Sequence, residues 1–109
     1  MTDKILIFSS CGSAEEAERV AKHLVETHAA ACVNIIPGVR SIYRWKGAVE
    51  EAGEWTLLIK TRRPLVARVE RELRRVHSYE VPELIALPIV AGLESYLQWI
   101  DDETGNAGP

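Results

Sequence analysis

The side chains that could bind a ligand are scattered along the sequence, and none belongs to a recognisable catalytic motif. The 109 residues contain no P-loop, no GxGxxG turn, no CxxC pair, no HExxH and no GxSxG. The possible ligands that remain are Cys32, Lys60, His77, Tyr79, Glu80 and Glu83. A thiolate with an imidazole suits copper or zinc better than magnesium or calcium. These residues could therefore bind a metal, and we do not expect an enzyme.

The metal ligands that we predict are Cys32, His77 and Glu83. Each of the first two has an ordinary alternative. Cys32 lies in an alternating strand pattern, where a cysteine is usually a small buried residue, and His77 follows a helix, where a histidine caps the C-terminus. One thiol and one imidazole fall short of the usual three or four ligands. Carboxylates, waters or another subunit must therefore complete any site.

The other thiol and imidazoles are not expected to do chemistry. Cys11 lies in the first strand-to-helix loop, and a lone thiol without an assigned base is a weak candidate for a nucleophile. His23 and His28 are five residues apart, a spacing that does not put them on one helix face. We interpret both as surface residues and both cysteines of the chain as free thiols.

The length and net charge of the chain exclude several classes of function. A chain of 109 residues can form one core but not two. The net charge is −3, with basic and acidic residues mixed, so no basic stripe is available for nucleic acid. No apolar stretch approaches the ~20 residues of a membrane span, and the N-terminal apolar run is shorter than that of a signal peptide. We expect a cytoplasmic protein.

The longest pattern in the chain is a period-two alternation over residues 31–61, which predicts one β-hairpin. Lys46-Gly47 supplies its turn, and Pro37-Gly38 marks a bulge or kink. Each arm would span about 40–45 Å at ~3.3 Å per residue, whereas a helix of about fourteen residues covers only ~21 Å. The hairpin is therefore longer than anything in the chain that could cover it.

Aromatic residues at the far end of this hairpin would be exposed in a single chain. They are Tyr43, Trp45 and Trp55. Exposed aromatic patches of this kind usually contact another chain. We predict that these three residues form a subunit interface, and therefore an oligomer.

The remaining patterns complete the order β-α-β-β-α-β plus a C-terminal helix. The predicted elements are a strand over 4–8, a helix capped by Ser13 that ends near Thr27 or His28, a helix that begins at Pro64, a strand over 83–90 and a short helix to Ile100. This is the α+β, ferredoxin-like arrangement, a four-stranded antiparallel sheet with two helices on one face. We assign 1–103 to a single domain and 104–109 to a flexible tail. The second sheet face has no covering layer, which favours copies of the same chain as the partner.

Several runs of residues resemble the CutA family, the divalent-cation tolerance proteins. The runs are AACVNIIPG (30–38), SIYRWKG (41–47), IKT (59–61), HSYEVPE (77–83), IALPI (85–89) and YLQW (96–99). The resemblance extends from about Ile5 to Ile100. It implies a compact homotrimer of ferredoxin-like subunits, in which the long hairpins join the sheets of neighbouring subunits. It also implies a link to tolerance of divalent metals, copper especially, and an architecture similar to the PII signal-transduction proteins.

The resemblance carries over to individual positions. Cys32 matches the family's strand cysteine, and His77 matches the histidine that opens an H-P-Y segment. Tyr79 and Glu83 match the tyrosine and the final glutamate of that segment, and Lys60 matches the lysine before the threonine that ends the hairpin. The resemblance implies that these positions surround a cleft between subunits, in which we place Lys60, Tyr79 and Glu80.

The chain departs from the family pattern at two places. Ser78 stands where the family usually has proline, which we expect to loosen the backbone beside His77. Residues 11–13 read Cys-Gly-Ser where the family more often has a proline and an acid. No function is therefore carried over to Cys11.

We expect a cytoplasmic, trimeric protein that binds a divalent metal, copper, weakly and takes part in metal tolerance. The first alternative is a PII-like sensor or scaffold that binds a small anion, a nucleotide or a partner protein in the intersubunit cleft. Lys60, Arg62 and Arg63 would then matter more than Cys32. The second alternative is a structural trimer without a ligand, which would self-associate tightly and show no saturable binding.

Overall fold

The computed structural model describes residues 2–104. Its helices and strands follow the predicted order. They are β1 Lys4–Cys11, α1 Ala14–Glu26, β2 Cys32–Trp45, β3 Ala48–Arg62, α2 Val66–Val76, β4 Ile85–Pro88 and α3 Glu94–Thr104. Pro64, predicted as the first residue of the second helix, lies instead in a 3₁₀ turn over Arg63–Leu65 that leads into α2.

The four strands form one antiparallel sheet in the order β2-β3-β1-β4. β1 is a central strand that pairs with β3 along its whole length and with β4 from Ile5 to Phe8. β4 lies at an edge, is shorter than the predicted 83–90, and ends at Pro88. An edge strand tolerates proline because one of its sides needs no N–H donors. The predicted α+β, ferredoxin-like fold is confirmed.

One face of the sheet packs against α1 and α2 and holds the core. The side chains that are almost fully buried there come from the sheet and from both helices. They are Ile7, Leu57 and Ile59 of the sheet, Val20 and Leu24 of α1, and Val69 and Leu73 of α2. α3 covers only one end of the opposite face. Ile36, Ile85 and Leu87 on that face remain 42%, 54% and 46% exposed.

The hairpin formed by β2 and β3 has the predicted turn and bulge. Lys46 and Gly47 have φ values of 51° and 86°, the left-handed conformation that a two-residue hairpin turn requires. The register of the two strands shifts between Ile36 and Val39. Gly38, at φ 75°, lies within this shift, so the predicted interruption at Pro37-Gly38 is a β-bulge.

The C-terminal helix is longer than the sequence pattern indicated. Thr104, which we placed in the tail, is the last residue of α3 and is fully buried. Its hydroxyl donates a hydrogen bond to the carbonyl of Ile100 and accepts one from Arg62 Nε. These bonds extend the helix beyond the last apolar residue. The rest of the predicted tail, 105–109, lies outside the described residues.

Between residues 2 and 104, none of the helices has the length and apolar character needed to cross a membrane.

Candidate metal centre

The segment between α2 and β4 wraps around the end of β1. His77, at the C-terminal cap of α2, has its Nε2 2.5 Å from the carbonyl oxygen of Ser10. Its Nδ1 accepts a hydrogen bond from the backbone N–H of Tyr79, at 3.1 Å. Because a backbone N–H can only donate, Nδ1 is the acceptor and the proton of the neutral ring is on Nε2. His77 is thus the C-cap residue of α2, as predicted, and its side chain also ties the end of α2 to β1.

The end of β1 and the first turn of α1 bring two more potential ligands to His77. The sulfur of Cys11 lies 3.7 Å from His77 Nε2. Glu16, in the first turn of α1, completes a group in which one thiol, one imidazole nitrogen and one carboxylate oxygen all lie within 4.8 Å of one another. Cys11 is fully buried, and Glu16 is 5% exposed. We call this group the Cys11 cluster.

The donors of the Cys11 cluster fit copper or zinc in type and in separation. In a tetrahedral site with metal–sulfur and metal–nitrogen bonds of about 2.3 and 2.0 Å, the two ligand atoms lie about 3.5 Å apart. The 3.7 Å between Cys11 and His77 is close to this value. The carboxylate oxygen of Glu16 lies within 4.8 Å of both atoms, so it is close enough to serve as the third ligand. A thiolate, an imidazole and a carboxylate leave a fourth position for water or substrate.

Burial and hydrogen bonding determine which groups of the Cys11 cluster carry a proton. It raises the pKa of the Cys11 thiol to about 12, with the nearby Glu16 carboxylate adding to the effect. Burial also raises the pKa of Glu16, but hydrogen bonding from Ser78 outweighs it and holds that pKa below its ordinary value. At neutral pH the cluster therefore holds a protonated thiol and an ionised carboxylate.

Ser78 does not loosen the backbone as we expected from its place in the sequence. Its N–H donates a hydrogen bond to Glu16 Oε2, at 2.6 Å. A proline at this position would have no N–H to donate. The serine therefore ties the 77–83 segment to α1 where a proline could not.

The other side of the 77–83 segment lines an open cleft of about 600 Å³ beside the hairpin. Glu83 accepts a hydrogen bond from Ser10 Oγ at 2.9 Å, and the Tyr79 hydroxyl donates one to Glu54 at 2.7 Å. Tyr79 passes so close to Gly12 that a Cβ there would lie 3.1 Å from the phenol oxygen. Burial and the bond to Glu54 raise the pKa of Tyr79, so it remains a neutral donor.

The cleft is acidic and brings several of the predicted residues together. Its lining includes Tyr43 and Trp45 of the predicted interface, Tyr79 and Glu80 of the predicted cleft set, and Glu83 of the predicted metal set. Two further carboxylates, Glu50 and Glu54, line it as well. Among the described residues that line it there is no lysine or arginine. We call it the acidic cleft.

Cys32 is not part of either group. Cys32 pairs with Lys60, whereas Cys11 pairs with Trp55, five residues earlier in β3. Five residues span about 17 Å at ~3.3 Å per residue. Because cross-strand partners share a face, Cys32 also lies on the opposite sheet face from Cys11. One subunit therefore does not bring Cys32 to His77. A site that contains both requires a second subunit and remains a prediction.

Lys60 and Trp55 also lie away from the residues with which we grouped them. The Lys60 amine donates a hydrogen bond to the Tyr96 hydroxyl of α3, at 3.2 Å, and does not line the acidic cleft with Tyr79. Trp55 packs partly buried against the core, because odd-numbered residues of β3 face the helices. Trp55 is therefore not exposed at the far end of the hairpin, where we had expected it.

Sequence reasoning missed Cys11 and Glu16 as partners of His77. Glu16 carried a signal, since it lies three residues after the capping Ser13, whose hydroxyl accepts the Glu16 N–H. The capping pattern predicts that the Glu16 side chain turns back towards the chain before the helix. Only the path of residues 77–83 around β1 shows that it also meets Ser78 and His77.

A model of the family described as "CutA1 divalent ion tolerance protein" matches residues 5–103. The chain belongs to the CutA1 family. Among its relatives is the divalent-cation tolerance protein CutA of Thermus thermophilus, which is 47% identical over 85% of this chain and 90% of its own length. The chloroplastic protein CutA of Arabidopsis thaliana is 39% identical over 94% of this chain, which corresponds to 56% of the plant protein.

Solved structures of family members have the same fold. CutA from Xylella fastidiosa superposes with a TM-score of 0.92 at 42% identity, over 94% of this chain and 99% of its own. The solved structure of the Thermus thermophilus protein gives 0.91 at 43% identity, over 94% and 99%. These matches confirm the predicted family and the predicted fold.

Proposed function

We propose that this protein binds divalent cations, copper among them, at the Cys11 cluster, and that this binding serves tolerance to divalent metals. The observation that carries the proposal is the convergence of sulfur, nitrogen and oxygen donors within 4.8 Å. Family membership supports it, because relatives are named divalent-cation tolerance proteins. We further propose that the protein acts in the cytoplasm by binding alone, without catalysis.

The cluster is suited to weak and proton-linked binding. A cation takes the Cys11 thiol as thiolate, so its binding releases a proton. The raised pKa of that thiol opposes this release at neutral pH. His77 must also exchange its Nε2 contact with Ser10 for the cation. Both requirements lower the apparent affinity, which is consistent with a protein that responds to excess metal.

The charge of the acidic cleft favours cations over the anionic ligand of the PII-like alternative. Glu50, Glu54, Glu80 and Glu83 give the described part of its lining a negative potential, which concentrates cations near the end of β1. The alternative depends on Lys60, Arg62 and Arg63, none of which lines this cleft, and Lys60 is hydrogen-bonded to Tyr96 elsewhere on the sheet. An anion would therefore enter this cleft against its charge.

We also propose that the functional form is a homotrimer. The sheet face opposite α1 and α2 leaves Ile36, Ile85 and Leu87 about half exposed, and exposed apolar groups on one face are typical of surfaces covered by another chain. Tyr43 and Trp45 are 41% and 37% exposed and would extend that interface along the hairpin. Sedimentation equilibrium of the purified chain tests this, since a mass near three times 12.2 kDa is expected.

The metal site is tested by calorimetric titration with Cu(II), and with Cu(I) under reductant, of the wild type, Cys11→Ala and Cys32→Ala. The two variants remove one thiol each, so Cys32→Ala is the matched control. We expect saturable binding that Cys11→Ala weakens at least tenfold, about 1.4 kcal/mol, and that Cys32→Ala leaves unchanged.

If Cys32→Ala weakens metal binding and Cys11→Ala does not, the metal site is not the Cys11 cluster. It is then a site between subunits that uses Cys32. Absence of saturable binding in the wild type would refute the proposed function. The function would then be that of a sensor or scaffold.

A further inference from the structure

Two backbone amides of the 77–83 segment are held by side chains of the Cys11 cluster. The N–H of Ser78 is bound by Glu16 Oε2 at 2.6 Å, and the N–H of Tyr79 by His77 Nδ1 at 3.1 Å. These bonds fix the start of the segment against α1 and β1. Further along, Tyr79 and Glu83 line the acidic cleft. The same side chains therefore hold the segment and form the proposed cation site.

His77 cannot serve both purposes at once. An imidazole that binds a cation through Nε2 carries its remaining proton on Nδ1. In this structure Nδ1 faces the N–H of Tyr79. Two donors would then point at each other, and neither would have an acceptor. Occupation of Nε2 by a cation must therefore break the bond to Tyr79, and it also displaces the contact of Nε2 with Ser10.

Glu16 adds a second, weaker competition. A carboxylate has lone pairs for more than one partner, so Glu16 can keep some contact with Ser78 while it binds a cation. The shared charge nevertheless weakens the 2.6 Å bond. Both anchors of the segment are affected in the same direction.

We propose that the Cys11 cluster is a cation-operated latch, in which a bound divalent cation and the anchoring of residues 78–83 exclude each other. Without the cation, His77 and Glu16 hold the segment against β1. With the cation, the segment is released and the acidic cleft, which it lines, changes shape. The inference rests on the proposed cation site, and it adds a way for the metal to alter a surface that another molecule can contact.

Amide hydrogen exchange of the full chain, followed by NMR with and without Zn²⁺, tests the latch. Zinc is redox-inert and diamagnetic, so it suits both the thiol and the spectra. We expect saturating Zn²⁺ to accelerate exchange at Tyr79 at least tenfold, because its acceptor is lost. The Ala31 amide, which bonds to the carbonyl of Lys60 at 2.9 Å, is the internal reference and should not change.

Glu16→Gln is the matched variant, because its amide oxygen can still accept from Ser78 while the charge that attracts a cation is gone. Zn²⁺ at the concentration that saturates the wild type should leave its Tyr79 exchange slow. Equal acceleration in this variant would show that the Glu16 carboxylate is not part of the cation site and would overturn its place in the latch.

Calorimetric titration of the wild type, Glu16→Gln and Cys11→Ala with Zn²⁺ separates the two proposals. If Zn²⁺ binds the wild type in a Cys11-dependent manner and Tyr79 exchange stays slow, the latch is wrong and the metal site stands. If Zn²⁺ does not bind through Cys11, the proposed metal site itself is wrong.

Discussion

The pair formed by His23 and Glu72 links the two helices that cover the sheet, and its removal should be measurable. His23 Nε2 lies 2.5 Å from Glu72 Oε1, and the Glu72 side chain is only 9% exposed. A hydrogen bond to a charged group contributes about 1.5–3 kcal/mol. Arg75 remains 3.5 Å from the same oxygen, and alanine favours a helix over histidine by about 0.5 kcal/mol. We therefore expect His23→Ala to lower the free energy of unfolding by about 1.5 kcal/mol at pH 7.

Thermal unfolding at one fixed protein concentration measures this loss. For a domain of about 100 residues it corresponds to a midpoint lower by about 5–10 °C. The control is Lys22→Ala on the same helix, whose side chain is 73% exposed and pairs with Glu18 at 4.0 Å. An exposed pair of this kind contributes less than about 0.5 kcal/mol, so the control should remain close to the wild type.

The pH dependence gives a second check. The hydrogen bond from His23 outweighs burial and holds the pKa of Glu72 below its ordinary value of 4.5. Stability that comes from a lowered carboxyl pKa is present above the unfolded value and is lost as the pH falls through the folded value. The gap between wild type and His23→Ala should therefore shrink as the pH falls below 4.5. A gap equal at pH 7 and pH 3, or a loss no larger than that of Lys22→Ala, would refute the reasoning.

Three further substitutions test other parts of the structure. Gly47→Ala should cost about 1 kcal/mol of unfolding free energy, because φ at this turn position is 86°; a neutral effect on the urea midpoint would contradict it. Tyr79→Phe removes the hydroxyl that bonds to Glu54 at 2.7 Å, and limited proteolysis should then cut the 77–83 segment faster than in the wild type; an unchanged rate would count against the anchor. Thr61→Val deletes the buried donor to Ala29 O at 2.7 Å and should cost about 1 kcal/mol, with the change in calorimetric melting temperature as the measure and no change as the contrary result.

Local sequence patterns were sufficient for the elements but not for their contacts. The alternation of residues 31–61 predicted the hairpin, and Lys46-Gly47 predicted its turn, because both signals depend on neighbours along the chain. The helical period beyond Ser13 predicted α1 in the same way. Each of these elements is present in the structure with its bounds shifted by only a few residues.

The candidate site was harder to predict because it depends on which side of the sheet each residue faces. Cys11 and Cys32 look alike in the sequence, yet they lie on opposite faces and at different heights along β3. Their positions follow from the pairing register, which the alternation alone does not determine. Glu16 reaches Ser78, 62 residues away, only because residues 77–83 turn back around β1. No local pattern contains that path.

The central position of β1 has a consequence for how the protein is made. β1 is the first strand of the chain and pairs with both β3 and β4, so its second ladder cannot form until residues 85–88 have left the ribosome. The hairpin of β2 and β3 joins residues that are close in sequence and can form earlier, since local contacts require little loop closure. During synthesis, about 50 more residues must therefore be added after β1 before β3 is available to pair with it. The apolar side chains of β1 have no sheet partner until then. β1 therefore needs protection from aggregation during this interval.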